Sequence, residues 1–425
     1  MPGSWAGRLP IPRLATPILV GLMVLHAVMA LVFAWEAPWR TPGISNGHFL
    51  PDISAPDEIA HANYVRELLQ TGRLPILDPK TAGPELTYEN HQSPLFYLLD
   101  AGAARVAGVD SVDTPRAALP LRAPNALIGA MTVAGVYFFV LWSLGSVPLG
   151  LAAAAIVALL PMNVAISGAV SNDPLLIALC TWALALAIRT ADRDDLRLAV
   201  AVGALAGLAV LTKFTALLLI PVLPILLGRG RSIAVAAAVG AVLVVPYLLR
   251  NQQIYGHPLA APAFNASFHR DVDLAALKTP YGFAHWAYVL LAGTALSFLG
   301  QFGYMDIHLP NLVAIPLIAA LVIALAFGLR LPNVPKPIRI AMAVFVLLLI
   351  ASYVSYNLWQ VQPQARYLFP ALAPIALMVV LGIRRLGSNA SAALACLLAG
   401  LLVADVVAIA ILPREYAIRA ARVRG

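Results

Sequence analysis

The chain has 425 residues, 61% of them hydrophobic and only 11% charged. Soluble domains carry roughly a quarter charged residues, so this composition excludes a soluble core and indicates an all-α, polytopic transmembrane helical bundle. The formal charge of +8, which in a soluble protein would suggest nucleic acid, is read here as Arg-rich cytoplasmic loops, with no nucleic-acid partner.

Stretches long enough to cross ~30 Å of hydrocarbon run at about 15–35, 123–143, 149–168, 174–190, 198–212, 214–228, 232–249, 311–329, 339–358, 367–383 and 390–412, about 11 spans in all. The first follows Arg8 and Arg13. It is too long for a signal-peptide core and reads as a retained helix. Cys180 and Cys396 lie inside apolar stretches, so no disulfide framework or cysteine metal site is expected.

Two further stretches are ambiguous. Residues 93–108 carry Asp100 and Arg105, and residues 284–300 end in the polar string Gln301–His308. Charge bias decides between the topologies. With the N-terminus inside and neither stretch crossing, the loops holding Arg189/Arg193/Arg197, Arg229/Arg231, Arg330/Lys336/Arg339 and Arg384/Arg385 all fall inside. Both stretches are therefore expected to lie along the outer interface. The tail with Arg414, Arg419, Arg422 and Arg424 then falls outside, against the rule. The expected organisation is one membrane domain over 1–425, with external segments at about 36–122 and 250–310.

The first external segment contains Ala55-Pro-Asp-Glu-Ile-Ala-His61. Pro56 suits a first helical turn, and Asp57 and Glu58 suit its positive end. Asp57 and His61 are four apart and share a helix face. The bland alternative is a solvated helix start, but a carboxylate beside a membrane is costly unless paired or used. Glu89 and His91 follow in Tyr88-Glu-Asn-His-Gln-Ser-Pro-Leu-Phe-Tyr97, which otherwise reads as an interfacial aromatic belt. Arg122, Asn172-Asp173-Pro174 and Lys213 sit at outer ends of spans, where snorkelling or helix capping would also explain them. Arg250, Tyr255 and His257 open the second external segment, and Asp306 and His308 close it. Arg366 and Tyr367 end the last outer loop, Gln360-Val-Gln-Pro-Gln-Ala-Arg-Tyr367. Arg366 either snorkels or holds an anionic headgroup with its fork.

At these residues the sequence resembles the GT-C glycosyltransferases, polytopic enzymes that use polyprenyl-phosphate-linked sugars. It is most similar to the branch with protein O-mannosyltransferases and lipid A aminoarabinose transferases, and within that to a poorly characterised bacterial family. The resemblance is carried in order by Pro56–His61, Glu89–Tyr97, Ser171–Pro174, Leu211–Phe214, Tyr247–Asn251, Tyr255–Pro258, Phe302–Asp306 and Gln364–Pro370. It implies Asp57, with Glu58 as alternate, as catalytic base or metal partner. It places Glu89 and Asp173 at loop carboxylates, and Arg366, Arg122 and Lys213 at the donor phosphate. Gln92-Ser-Pro stands where a Pro-Pro or Lys-Pro-Pro string is usual, which leaves sugar and acceptor open.

The expected reaction is an inverting transfer of a sugar from a polyprenyl phosphate to a hydroxyl of a glycan, lipid or peptide, at the periplasmic face of a bacterial inner membrane. Asp57 would take the acceptor proton, and His61, Glu89, His91, Asp173, Arg250, Tyr255, His257, Asp306 and Tyr367 would line the substrate site. Glu89, His91 and His308 leave a divalent cation open, although no fixed ligand spacing is visible. The alternatives are a transporter or flippase of lipid-linked saccharides, which predicts polar residues in mid-span, and a non-catalytic partner in cell-envelope polysaccharide assembly, which predicts tolerance of Asp57→Asn.

Overall fold

The computed structural model describes residues 14–45, 48–51, 53–193, 195–268, 270–330 and 333–424. Arg8 and Arg13, on which the inward N-terminus was argued, lie outside the described residues.

The helices, in chain order, are α1 (Ala15–Glu36), α2 (Glu58–Thr71), α3 (Leu95–Val106), α4 (Ala118–Leu144), α5 (Val147–Ala158), α6 (Pro161–Ser167), α7 (Asp173–Arg193) and α8 (Leu196–Val210). They continue with α9 (Leu223–Leu227), α10 (Gly230–Tyr255), α11 (Ala261–Ser267), α12 (Pro280–Leu299), α13 (Asn311–Gly328), α14 (Lys336–Asn357), α15 (Leu372–Arg384) and α16 (Ala390–Arg424). Two short antiparallel pairs accompany them: β1 (Pro42–Ser45) with β2 (His48–Pro51), and β3 (Gln301–Phe302) with β4 (Ile307–His308). Among the described residues nine helices are long and apolar enough to cross a membrane, or ten if α5 and α6 form one span.

That pair bends by 64°. Pro161 lacks an N–H and drives Leu160 out of the helical region (ψ 110°). In hydrocarbon the carbonyls freed by the break need donors from within the protein. Asn163 Nδ2 supplies one to Val157 (3.1 Å), and His26 Nδ1, 3.0 Å from the Ala158 carbonyl, supplies another.

The two ends of α7 mark the two faces of the bundle. At one end Asp173 receives Lys213, and at the other the Ala191 carbonyl receives Arg229. The 214–228 stretch therefore runs from one face to the other, although only a short turn of it, α9, is α-helical. α12 is one of the nine. Trp286 in its first half donates to the Asn357 carbonyl at the end of α14, and Ser297 in its second half to the Pro363 carbonyl beyond it, each at 3.0 Å, so α12 lies against the connection that follows α14. Farther along, α13 and α15 cross at bare glycines. A Cβ at Gly328 would meet the Met378 carbonyl at 1.8 Å, and one at Gly382 would meet Ala324 at 1.8 Å, so only small residues permit this approach.

The end of α16 emerges on the Asp57 face, where Tyr416 donates to the Ile53 carbonyl and Arg419 pairs with Asp306. One arginine of the basic tail is thus paired with a carboxylate.

Candidate active site

Asp57 stands at the N-cap of α2 with φ +69°, a left-handed conformation strained for a non-glycine residue. Its neighbours over-determine it. The Ser54 N–H donates to Glu58 Oε2 and the Ser54 hydroxyl donates to the Gly168 carbonyl. The turn aims Asp57 away from Glu58 and toward Arg366, which donates to Asp57 Oδ2 at 2.5 Å, to Asp173 Oδ2 at 3.0 Å and to Gln364 Oε1 at 2.7 Å. Lys213, at the break between α8 and the 214–219 turn, donates to the other oxygen of Asp173 at 2.6 Å. Tyr88 donates to Asp57 Oδ1 at 3.1 Å. Two carboxylates and two cations from four distant stretches thus form one cluster, with Arg366 and Asp173 buried and Asp57 and Lys213 half-buried.

Above it opens a cavity of about 350 Å³, lined by Asp57, His61, Tyr88, Glu89, Gln92, Lys213, Thr215, Phe264, Phe268, Leu349, Ser352, Tyr353, Tyr356, Gln362 and Tyr367. Glu89 is 8% exposed, and its Oε2 has no hydrogen-bond partner although His61 Nδ1 lies 4.0 Å away. His61 Nδ1 is 2.8 Å from the Tyr97 hydroxyl. Burial raises the Glu89 carboxyl and lowers His61, so both lean toward their neutral forms. Burial also raises Asp57, but the Arg366 guanidinium outweighs it and holds the carboxyl below its ordinary value. Burial lowers His91 to about 4. Its Nδ1 faces the Tyr88 carbonyl at 2.8 Å and its ring packs on Phe264.

Several sequence candidates are turned to other partners. Glu58 and Arg122 form a closed lock. Arg122 gives Nε and Nη2 to Glu58 and spends its remaining N–H groups on the carbonyls of Ala34, Ala37 and Pro38. Glu58 also receives the N–H groups of Ser54 and Val170. All five guanidinium donors are used, which leaves none for a phosphate. Arg250 donates to the carbonyls of Leu74 and Pro75, Tyr255 accepts from the Leu77 N–H, and His257 accepts from the Leu259 N–H. Arg250 and Tyr255 tie the two external segments together outside the cavity, His257 closes a local turn, and Asp306 holds Arg419.

Sequence reasoning missed Phe264, Phe268, Tyr353, Tyr356, Gln362 and the hydroxyl of Tyr88. Phe264 and Phe268 carry a readable signal, being four apart in a proline-rich external segment. Among the described residues no three His, Cys, Asp or Glu side chains form a metal-sized group. Asp57 and Asp173 already face cations, Arg366 and Lys213.

Residues 76–376 match the family described as "Predicted membrane protein (DUF2142)". The chain belongs to this family. No curated protein matches it. Among solved structures it is similar to the Archaeoglobus fulgidus oligosaccharyltransferase tethered with an acceptor peptide, at TM-score 0.59 and 14% identity over 95% of this chain and 56% of that one. The same archaeal enzyme, AglB, in complex with an inhibitory peptide and a dolichol-phosphate gives 0.59 and 14% over 94% and 56%. ArnT from Cupriavidus metallidurans bound to undecaprenyl phosphate gives 0.58 and 14% over 95% and 78%. This DUF2142 chain spans about half the length of the archaeal chains. At such identity the likeness is one of fold, and it agrees with the helical-bundle fold expected from the sequence.

Proposed function

We propose that this DUF2142 protein is a membrane glycosyltransferase that moves a sugar from a polyprenyl-phosphate carrier to an acceptor hydroxyl. The observation that carries the reading is the Arg366–Asp57–Asp173–Lys213 cluster under a cavity at one end of a helical bundle. A lipid phosphate suits two convergent cations that need no water of their own. Two structures of the same fold hold dolichol-phosphate and undecaprenyl phosphate. An all-aliphatic groove of about 340 Å³ between α8, the 214–219 turn, α9 and α10 begins at Ala216, next to the cavity-lining Thr215. It is the natural berth for the isoprenoid tail.

The chemistry follows from the competition for Arg366. With no phosphate bound, Arg366 holds Asp57 as a weak base. A donor phosphate that draws the guanidinium toward itself relaxes that bond and raises the proton affinity of Asp57. The acceptor oxygen then attacks the anomeric carbon as Asp57 takes its proton. The anomeric C–O bond breaks, and the polyprenyl phosphate leaves with its negative charge facing Lys213 and Arg366. Displacement from the opposite side inverts the anomeric centre. Glu89, leaning to its neutral form, is suited to donate a hydrogen bond to the donor.

The face opposite the site carries Arg189, Arg193 and Arg229, so we assign the site face to the exterior of a bacterial inner membrane. The test is turnover of undecaprenyl-phosphate sugars by purified protein in nanodiscs. Asp57→Asn should reduce turnover by at least about 100-fold and leave lipid-phosphate binding in place. Normal turnover by that variant would overturn the assignment. Movement of intact lipid-linked sugar across vesicles, with no bond broken, would favour a flippase.

A further inference from the structure

The cavity over a charged floor has an aromatic side wall that the bundle does not need. Phe264 on α11 and Phe268 just beyond it pack ring against ring with centroids 4.9 Å apart. Phe268 meets Tyr88 edge-on at 5.6 Å, and Phe264 meets His91 at 4.5 Å. The wall therefore begins at the tyrosine whose hydroxyl donates to Asp57. Among the described residues neither phenylalanine joins the buried hydrophobic clusters of the bundle, and α11 has no buried residue. Both rings line the cavity instead.

We propose that Tyr88, Phe264 and Phe268 form a subsite for one sugar ring, the ring carried by the donor. This rests on the lipid-phosphate reading above. A pyranose has an apolar C–H face and a polar rim. The wall supplies aromatic faces for the first, and Gln92, Ser352 and Gln362 of the same cavity supply hydrogen-bonding groups for the second. Lys213, the phosphate contact in that reading, lines the same cavity with its Nζ 5.4 Å over the Tyr367 ring. A cavity of about 350 Å³ has room for a sugar ring. An isoprenoid chain has its own all-aliphatic groove and no use for a rim of amides and hydroxyls.

The test measures binding of the full chain in nanodiscs to bare undecaprenyl phosphate and to the same lipid carrying glucose, galactose, mannose or N-acetylglucosamine. The wild type should bind at least one sugar-bearing lipid more tightly than the bare lipid. The double variant Phe264→Ala/Phe268→Ala should lose about tenfold of that sugar-dependent affinity, with bare-lipid affinity unchanged. Phe264→Leu/Phe268→Leu, which keeps apolar bulk, should bind bare lipid normally and show that the fold persists. An equal loss for bare and sugar-bearing lipid would mean the wall holds the isoprenoid, and the proposal falls. No loss for either, or no sugar preference in the wild type, also overturns it while the phosphate reading stands. If the wild type binds none of the lipids, the phosphate reading fails and this one with it.

Discussion

Arg366 donates a 2.5 Å hydrogen bond to Asp57 across 309 positions of chain. The same guanidinium holds Asp173, whose second oxygen holds Lys213. Arg366 is 2% exposed, so its charge is tolerated only through these partners.

Removing one member should therefore cost more than removing the set. Arg366→Leu leaves Asp57 without its cation and should destabilise by about 3–5 kcal/mol. Adding Asp57→Asn to that variant, with Asp173 still paired to Lys213, should recover much of the loss. Denaturation in a fixed detergent checks it. A double variant no more stable than Arg366→Leu would mean that the cluster does not act as a unit.

Glu58 and Arg122 give the contrasting case. The pair is buried and saturated, and it ties the turn before α2 to α4 and to the end of α1. Arg122→Leu should cost about 3–5 kcal/mol by leaving Glu58 unpaired, and Glu58→Gln should cost less. Any stable fraction of either variant should keep wild-type affinity for undecaprenyl phosphate. A selective loss of phosphate affinity with unchanged stability would instead put Arg122 at the donor.

These two pairs show what was legible in the chain. Spans are written in local hydropathy, so most of the stretches could be read without partners. Among the described residues, however, nine helices are long and apolar enough to cross, α12 among them although it was expected along the interface. The 198–212 stretch holds only a 15-residue helix and 214–228 only short turns. The gathering of Asp57, Asp173, Lys213 and Arg366 on one face followed from span parity alone. Which neighbour each charge would meet did not, because that depends on one backbone angle. The left-handed φ at Asp57 sends adjacent carboxylates in different directions, one to the cavity and one to a lock. Arg122 and Arg366 look alike as cations at span ends, yet one spends every N–H on scaffold. Nor could the chain show that Arg419 of the basic tail would pair with Asp306, more than a hundred positions upstream.

His91 makes the site face sensitive to acid. Its imidazole falls from 6.5 to about 4 on burial. Between those values the unfolded chain binds a proton that the folded chain refuses, so stability is full above pH 6.5 and declines toward pH 4. At 1.36 kcal/mol per unit the decline approaches about 3 kcal/mol. Thermal unfolding of His91→Phe should lose much of this slope. An unchanged slope would place the acid sensitivity elsewhere.

Tyr416 reaches from α16 to the segment that carries Asp57. Its hydroxyl donates to the Ile53 carbonyl at 2.5 Å, and Ile53 is 2% exposed. Four residues on, Asp57 takes its left-handed φ of +69°. Tyr416→Phe leaves the Ile53 carbonyl without this donor, a loss of about 1–3 kcal/mol. The strain gives a sharper readout than stability. If the brace sustains the Asp57 geometry, Tyr416→Phe should lower kcat for sugar transfer several-fold with KM for the lipid donor little changed. Asp57→Gly, free to adopt the same φ, should lack activity with or without Tyr416. A Tyr416→Phe variant with wild-type kcat but reduced stability would reduce the brace to a packing contact.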